Sequence, residues 1–482
     1  MSDDEPIYVC YQCIGDEFLS AAVLEECEHA FCCECGGKVA AVPMEDLGDR
    51  IKDIIANHFY QTSSEPEGFD YLLAKEGRWT QPGKRLEDVV AEIAQVSESV
   101  AGLLCEYLYD SHPFGPSDGE EHPYADDAQY EERPADDSGI QESWRSFKRE
   151  LLKNSRYFSD PATTALDMIF KDLELLIPPR GESLVREVCP EHSPLTFFRA
   201  RVCFDDNELK RVLAAPVKEL GPPPHRYARS GRMNAEGISA FYGSLDEVTC
   251  LSEVRPPVGS YVVIGSFHGV RRLRLLDCDA LVKLYTHGSY FDPGYSDRKS
   301  RVAFLRSFVD EISRPVMPRD QDYEYLPTQV VAEYLASRPE QPFDGIIFPA
   351  SQTGGVGRNV VLFHHAARVE PYDLSNDAKI SFSMGWKSDD DYDDAIAIFE
   401  DLPDVQEHTE PPGSKDEIFN VNSFPLGPAE FAEFDDSLDE RYRDASLRLS
   451  VEEIQIRHIK SVAYDCAERG VTRQRSLRTG SS

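Results

Sequence analysis

Cysteines are concentrated near the amino terminus, where six of the twelve lie within the first 35 residues. Two CxxC pairs, Cys10 with Cys13 and Cys32 with Cys35, are separated by 18 residues. In a reducing compartment, clustered cysteines are more typical of metal ligands than of disulfides. Four thiolates complete the tetrahedral coordination of Zn²⁺ and leave no position open for catalysis. We therefore expect a structural zinc knuckle over residues 1–45, which the metal holds folded.

Two neighbouring residues leave the ligand set open, because Cys27 and His29 are alternatives for the fourth position. A group of ordinary reduced cysteines is the alternative to a metal site. A redox role fits two paired CxxC units less well than a metal does.

The length of 482 residues predicts two or three domains. Hydrophobic residues make up 41% and charged residues 28%, which is a globular composition. The sequence contains no run of about 18 apolar residues, so a membrane span is not expected. Its acidic start lacks the apolar region of a signal peptide, which predicts a cytoplasmic protein.

Acidic residues outnumber basic residues by 87 to 50, which gives a net charge of −37. A field of this sign repels phosphate backbones and disfavours general nucleic-acid binding. The net charge does not exclude a small local basic pocket that binds a phosphorylated ligand. The acidic stretches at 110–137 and after residue 387 are expected to be solvated loops.

Apolar residues recur at helical spacing across residues 46–180, which predicts a helical bundle. The longest stripe keeps one face apolar for five turns, from Leu86 through Val100 to Leu104. Further amphipathic helices are expected around Trp144 and Leu166. We interpret these stripes as core packing, without a ligand.

Between residues 190 and 372, strand-like runs mix with helical patterns and predict an α+β domain. Two strands over 261–267 and 270–276 are expected to be adjacent. A glycine-rich loop at 351–357 lies between two further strands. Residues 373–446 are expected to form an acidic insertion or a disordered arm. A terminal strand over 447–466 is expected to complete the sheet.

Five ordered blocks of this α+β region closely resemble the RES domain family. They are Gly231-Arg-Met-Asn234, Phe241-Tyr-Gly-Ser244, the helix that carries Glu253, Tyr325-Leu-Pro-Thr-Gln329, and the Ser351 loop followed by Asn-Val-Val-Leu-Phe. The resemblance implies an ADP-ribosyltransferase-like fold and degradation of NAD⁺ by a bacterial toxin that a partner antitoxin restrains. It also implies that Arg232, Tyr242, Glu253 and Ser351 occupy the family's functional positions.

The helical region resembles the HEPN-like amino-terminal domains that accompany RES domains. Ribonucleases of that type carry an Arg that is followed, after four to six residues, by a His. Here Arg50 and His58 are separated by seven residues. The resemblance therefore implies a shape with a regulatory or docking role, without nuclease chemistry.

Elementary chemistry agrees with NAD⁺ as the substrate, because its nicotinamide is already a cationic leaving group. Cleavage then needs stabilisation of an oxocarbenium-like ribose, which Glu253 can provide. Arg232 can bind a diphosphate through its forked donors. Tyr242 offers a flat face to the nicotinamide ring, and Ser351 can bond the carboxamide or the ribose.

Further substrate contacts are expected from Arg199, Arg201 and Asn234, the two arginines as phosphate ligands. Structural alternatives also exist. They are Tyr242 as strand core, Glu253 in an ion pair with Arg255 or Arg232, Ser351 as a turn residue only, and a fold-holding salt bridge at Arg199. The leading interpretation is an NAD⁺ glycohydrolase or phosphorylase that acts as a toxin or defence effector. The alternatives are a mono-ADP-ribosyltransferase that modifies a protein and an inactive zinc-binding adaptor.

Overall fold

The computed structural model describes residues 6–25, 28–66, 68, 70–113, 122–154, 159–176, 178, 182–339, 341–372, 379–387, 392–401, 443–463 and 466–473. The chain is a mixed α+β protein with one large mixed sheet. It divides into two compact units, residues 1–147 with 283–308 and residues 148–282 with 309–482. None of the helices in the described ranges is both long and apolar enough to cross a membrane.

The first unit alternates short strands with helices. In chain order its elements are β1 Tyr8–Cys10, α1 Glu17–Glu25, β2 Glu28–Phe31, β3 Lys38–Pro43, α2 Met44–His58, β4 Phe59–Gln61, α3 Asp70–Lys75, β5 Lys84–Arg85, α4 Leu86–Ala94, α5 Glu98–Ser111, β6 Gln129–Glu132 and α6 Ser138–Lys153, whose last residues belong to the second unit. Its strands pair into two antiparallel sheets, in the orders β1-β3-β2 and β4-β6-β5.

The core of the first unit forms where the apolar faces of α2, α4 and α5 meet. Leu47 and Ile51 of α2 and Leu104 of α5 are fully buried there. Gly48 of α2 lies against the Tyr107 ring of α5, and a Cβ at that position would overlap the ring. The absence of a side chain at Gly48 therefore lets the two helices approach closely.

The single helix expected from Leu86 to Leu104 is wrong, because α4 and α5 divide this stretch. Gln95 adopts a left-handed backbone with φ of 51° and ends α4. The Ser97 hydroxyl accepts a hydrogen bond from the Val100 main-chain N–H at 3.3 Å and starts α5. Both helices bury their apolar faces in one core, so the stripe stays continuous in sequence across the break.

The expectation of a helical bundle over 46–180 also needs correction. Strands β4, β5 and β6 lie in this range and pair as a sheet. They contain two to four residues each. Strands this short cannot show the alternation of apolar and polar residues by which a sequence predicts them.

Residues 283–308 belong to the first unit, although they lie inside the range 190–372 that the sequence predicts as one domain. Ser289 Oγ donates a hydrogen bond to Asp16 Oδ1 at 2.8 Å. Tyr290 packs against the apolar core of the first unit. The second unit is therefore interrupted in sequence by a segment of the first.

The second unit is built on the large sheet. In chain order its elements are α7 Asp160–Phe170, β7 Val185–Val188, β8 Thr196–Cys203, α8 Asp206–Ala214, α9 Pro216–Leu220, β9 Phe241–Ser244, α10 Glu247–Val254, β10 Tyr261–Gly269, β11 Leu273–Asp277, α11 Cys278–Lys283, the last residues of α12 Tyr295–Ser313, α13 Gln321–Glu324, α14 Leu326–Ala336, β12 Gly345–Pro349, β13 Arg358–Leu362, β14 Lys379–Lys387, β15 Tyr392–Asp401 and β16 Leu447–His458.

Eight of these strands form one sheet in the order β16-β10-β8-β9-β13-β12-β11-β7. The β11–β12 pair is parallel and the other neighbouring pairs are antiparallel. Phe197, Phe241 and Phe267 of the sheet are fully buried in one core cluster with Leu209 of α8. A second cluster packs Val262 of β10 against α10. Helices therefore pack against the sheet in both clusters, α8 in the first and α10 in the second.

Strands β10 and β11 are not neighbours, so the expected adjacency is wrong. Between them in the sheet lie β8, β9, β13 and β12. A Cβ built on Gly269, at the end of β10, would lie 3.7 Å from Val188 Cγ1 of β7. The sheet therefore curls until its two ends approach, and the short link 270–272 crosses from one end to the other. A short link is a hairpin signal in sequence, and curvature is not visible there.

Strands β14 and β15 pair antiparallel within the range 373–446, for which the sequence predicts an acidic insertion or a disordered arm. Residues 373–378, 388–391 and 402–442 of that range lie outside the described residues. The terminal strand β16 pairs antiparallel with β10 at one edge of the large sheet.

Asp344 ties together the parallel strands β11 and β12. Its buried carboxylate accepts hydrogen bonds from Arg271 Nη2 and from the Arg274 main-chain N–H, each at 2.8 Å. His365 Nε2 lies 3.2 Å from the same carboxylate. Burial alone would raise the pKa of Asp344, but these neighbours outweigh it and lower the pKa below its ordinary value.

Replacing Asp344 with Asn removes this charge, and we expect the free energy of unfolding at pH 7 to fall by about 1–3 kcal/mol. The folded-state pKa is lower than the unfolded value of about 3.9, so the carboxylate stabilises the fold above that pH. This contribution is lost as the pH falls through the folded-state pKa. Urea unfolding at pH 7 and at pH 3 measures this effect. We expect the difference in the free energy of unfolding between the Asp344→Asn variant and the unaltered chain to be smaller at pH 3 than at pH 7.

The matched control is Asp310→Asn, which changes an exposed carboxylate of α12. We expect its unfolding to follow that of the unaltered chain at both pH values. An Asp344→Asn protein that is equally stable at pH 7 would contradict the role assigned to Asp344.

Candidate functional site

A cavity of about 630 Å³ opens in the second unit. Residues from β8, β9, α10, β13 and the turn before β9 line it. Its volume lies in the range of small-molecule sites, about 300–1,000 Å³. Arg232, Tyr242, Glu253 and Ser351 all line this cavity. The structure thus brings together the four residues that the sequence resemblance singles out.

The turn that carries Arg232 is fixed by α14. The Gly231 N–H donates to Asn234 O at 3.0 Å and closes the turn. From α14, Gln329 Nε2 donates to Gly231 O at 2.8 Å, and Thr328 Oγ1 donates to Arg232 O at 2.6 Å. These two residues of the Tyr-Leu-Pro-Thr-Gln block therefore position the turn.

The Arg232 guanidinium is anchored at the carboxyl end of α12. Nη2 donates to Arg314 O at 2.8 Å, and Nη1 donates to Ile312 O. The guanidinium carbon lies 5.1 Å from the centroid of the Tyr325 ring, in a cation–π contact. Burial lowers the pKa of Arg232. Helix-end carbonyls stabilise a cation, so this arginine joins the turn to the helix.

Tyr242 of β9 presents its ring to the cavity while its hydroxyl is fully engaged. The hydroxyl donates to Asn234 Oδ1 at 2.7 Å and accepts from the Met233 main-chain N–H at 2.9 Å. Burial raises the pKa of the phenol, which keeps it neutral. A Cβ on Gly231 would lie 2.6 Å from the Tyr242 hydroxyl oxygen, so only glycine fits beside it. The ring is therefore held in one orientation.

Glu253 lies near the carboxyl end of α10, a helix that Asp246 caps as the sequence predicts. Asn359 Nδ2 donates to Glu253 Oε1 at 2.7 Å. Asn359 is positioned in turn by Ser244, whose Oγ donates to Asn359 Oδ1 at 2.9 Å across the paired strands β9 and β13. Oε2 accepts no hydrogen bond from the described part of the chain. One carboxylate oxygen is thus fixed and the other is available.

Ser351 begins a single 3₁₀ turn, Ser351–Thr353, directly after β12. Gly354 and Gly355 follow with φ of 62° and 82°, a left-handed conformation that favours glycine. Within the described residues, the Ser351 hydroxyl has no hydrogen-bond partner. The loop therefore presents a free hydroxyl to the cavity.

Arg358 holds this glycine-rich loop from within. Its Nη1 donates to Gly355 O at 2.6 Å and to Val356 O and Gly357 O at 2.9 Å. Its Nε pairs with the carboxylate of Asp279 in α11. One guanidinium thus satisfies three successive loop carbonyls, which orders the loop that carries Ser351.

Of the three further substrate residues expected from the sequence, two line the cavity and one does not. Arg199 lines the cavity, but its Nη1 donates to the Tyr242 carbonyl at 2.6 Å, and burial lowers its pKa to about 10. Asn234 also lines the cavity, but its amide is engaged in the turn. Arg201 is not among the residues that line the cavity; it pairs with Glu219 at 3.2 Å. Alternation places Arg199 and Arg201 on one face of β8, and Arg201 meets Glu219 of α9 there.

Asn359, Thr328, Gln329 and Arg358 shape the site, and the sequence reasoning assigned them no role. Asn359 and the Thr-Gln pair stand inside blocks of the RES-like pattern, which was the available signal. Arg358 directly follows the glycine-rich loop. Residues that position others leave no chemical signature of their own, so their partners become visible only in the fold.

Four cysteine sulfurs converge in the first unit. The Sγ atoms of Cys10, Cys13, Cys32 and Cys35 all lie within 4.8 Å of one another. Cys10 Sγ is 3.6 Å from Cys35 Sγ, and Cys13 Sγ is 3.8 Å from Cys32 Sγ. A tetrahedral zinc with bonds of about 2.3 Å would place its sulfurs about 3.8 Å apart. The cluster therefore has the donor set and the spacing to hold a zinc ion.

Main-chain N–H groups favour the thiolate form of Cys32, whereas burial raises the pKa of Cys10 and of Cys13. The Cys10 N–H points at Cys32 Sγ at 3.4 Å. Burial alone would raise the pKa of Cys32, but main-chain N–H groups, those of Cys35 and Cys10 first, lower it to about 6. His29 is not part of the cluster, and Cys27 lies outside the described residues.

Substituting Cys35→Ser removes one of the four sulfurs, and we expect purified protein to lose its bound zinc. Cys33→Ser is the matched control, because Cys33 is adjacent and exposed but lies outside the cluster. Metal analysis should find about one zinc per chain in the control and in the unaltered protein. Equal zinc content in the Cys35→Ser protein would contradict a four-cysteine site.

Comparisons with known proteins bear on the second unit. No curated protein and no solved structure matches the chain significantly. Residues 200–384 match the family model of the RES domain, over less than half of the chain. This range includes Arg232, Tyr242, Glu253 and Ser351. The match supports the RES resemblance over those residues.

Proposed function

We propose that the second unit breaks the bond between nicotinamide and ribose in NAD⁺. The observation that carries this proposal is the position of Glu253. It is the one carboxylate among the described residues that line the cavity, and an amide donor fixes one of its oxygens. The match of residues 200–384 to the RES domain supports the same substrate, because that family is linked to NAD⁺.

The proposed reaction needs stabilisation of positive charge on the sugar. As the C1′–N1 bond breaks, nicotinamide leaves as a neutral molecule with the bonding electrons, and the ribose becomes oxocarbenium-like. A fixed carboxylate stabilises that charge more strongly in a cavity than in water. Water then adds to C1′ and releases a proton, which yields ADP-ribose; inorganic phosphate can add in its place.

The four cavity residues that the RES resemblance singles out each have a role in this scheme. Glu253 Oε2, which has no partner in the described residues, accepts a hydrogen bond from a ribose hydroxyl and faces the developing charge. The free Ser351 hydroxyl bonds the carboxamide or the ribose. The fixed Tyr242 ring offers its face to the nicotinamide. Arg232 braces the cavity wall through its carbonyl contacts.

The acceptor of the ADP-ribose group separates the related activities. Incubation of the purified chain with NAD⁺, with and without phosphate, should release nicotinamide together with ADP-ribose or its phosphorylated form. Label that stays on protein would favour mono-ADP-ribosylation. The absence of NAD⁺ loss under all conditions would favour the inactive zinc-binding adaptor and contradict the proposal.

Glu253→Gln keeps the shape of the side chain and its contact with the wall but removes the charge. We expect kcat/KM for NAD⁺ to fall by roughly 10²–10³-fold, the usual cost of losing one electrostatic stabiliser. Nicotinamide release, measured by chromatography, checks this. Glu236→Gln is the control, since Glu236 is exposed in the same region but does not line the cavity. Equal loss in both variants, or in neither, would count against Glu253.

Asn359→Ala should lower kcat/KM by about 10- to 100-fold, because a hydrogen bond to an ionised group is worth about 1.5–3 kcal/mol. If Asn359 acts through Glu253, the same change in a Glu253→Gln background should cost only about twofold more. Full additivity of the two losses would show that Asn359 has a separate, structural role.

A further inference from the structure

The cavity is cationic although the chain as a whole is strongly acidic. Four arginines and one carboxylate line it, in a protein of net charge −37. The arginines are Arg199, Arg229, Arg232 and Arg255. A local excess of cations in a concave site concentrates anionic ligands. The four guanidinium groups differ, however, in what their donors already bind.

Two of these arginines are used by the protein itself. Arg199 donates to the Tyr242 carbonyl, and Arg232 donates to the carbonyls of Ile312 and Arg314. Burial lowers the pKa of both guanidinium groups. Their contacts with main-chain oxygen hold the walls of the cavity and reduce the donors left for a ligand.

Arg229 and Arg255 have the opposite character. Both are exposed at the cavity. Within the described ranges, neither guanidinium forms a hydrogen bond or an ion pair. An exposed cation in an acidic protein would ordinarily find a carboxylate partner nearby. These two side chains instead keep their donors free, and Glu253 is the one acidic residue among the described residues that line this cavity.

The backbone of Arg255 adds a second, independent observation. Its φ is 46°, a left-handed conformation that non-glycine residues rarely adopt. This conformation ends α10 two residues after Glu253, with the Arg255 N–H on Ser252 O at 3.3 Å. The same conformation ends α4 at Gln95, and at Arg255 the helix end places an exposed guanidinium at the cavity, two residues from the proposed catalytic carboxylate.

We propose that Arg229 and Arg255 form the subsite for the diphosphate of the dinucleotide. This inference rests on the proposed function. It assigns phosphate binding to these two exposed arginines in place of Arg232 and Arg199. A free guanidinium presents paired N–H donors that match the oxygens of a phosphate. The diphosphate is attached to the 5′ carbon of the same ribose whose C1′ reacts. A phosphate ligand two residues from Glu253 is therefore placed within reach of the reacting sugar.

The test measures binding without turnover. Calorimetry with ADP-ribose as the probe compares the unaltered chain with Arg229→Gln, Arg255→Gln and the double variant. We expect each single change to raise the dissociation constant about tenfold or more, and the double change to raise it further. Adenosine, which lacks the diphosphate, should bind all four proteins equally. Circular dichroism and thermal unfolding of the variants should match the unaltered chain, because both arginines are exposed.

Arg226→Gln is the matched control, since Arg226 is exposed, lies three residues before Arg229 and does not line the cavity. Its affinity for ADP-ribose should be unchanged. The inference is overturned if the double variant binds ADP-ribose as tightly as the unaltered chain, if Arg226→Gln weakens binding equally, or if no protein binds it. Arginine-dependent binding without NAD⁺ cleavage would support this subsite and reject the proposed function, so the two failures are distinguishable.

Discussion

The candidate site depends on side chains that hydrogen-bond the main-chain carbonyls of the loops around it. Gln329 and Thr328 fix the turn of Arg232, and Arg358 binds three successive carbonyls of the Ser351 loop. Loops that carry reactive groups are normally mobile. Here their carbonyls are satisfied from inside the fold, so the groups at the cavity are fixed before any ligand arrives. Such preorganisation is what electrostatic stabilisation of a transition state requires.

The charged groups of the cavity are of two kinds, because some hold the fold in place and others keep their donors free. Arg199 and Arg232 hold the walls, Asn359 holds one oxygen of Glu253, and the exposed Arg229 keeps its donors free. An acidic chain thereby maintains a small cationic site. In the proposed assignment, Glu253 acts at the reacting bond, and Arg229 and Arg255 bind the diphosphate.

Local chain geometry around the candidate site could be predicted from the sequence better than the arrangement of helices and strands. Glu253 near the end of a capped helix and Ser351 in a glycine-rich loop could be predicted, because both depend on local chain geometry. The break at Gln95 between α4 and α5 could not, since both helices share one core and keep the apolar period intact. The separation of β10 from β11 depends on the curvature of the whole sheet, which no local pattern records.

Long-range contacts also decide which partners the expected substrate residues meet in the fold. Arg201 was expected to bind phosphate, but the sequence could not show that Glu219 lies beside it. Asn234 was expected to contact substrate, but its amide serves the turn and Tyr242. Residue type predicts what a side chain can do, and only the fold decides which partner it meets.

The most direct test of the central claim is a crystal structure of the Glu253→Gln chain with NAD⁺. The account predicts the dinucleotide in the cavity of the second unit, with its nicotinamide ribose beside residue 253 and its nicotinamide against Tyr242. NAD⁺ bound at another place, or a cavity that stays empty at saturating ligand, would contradict it.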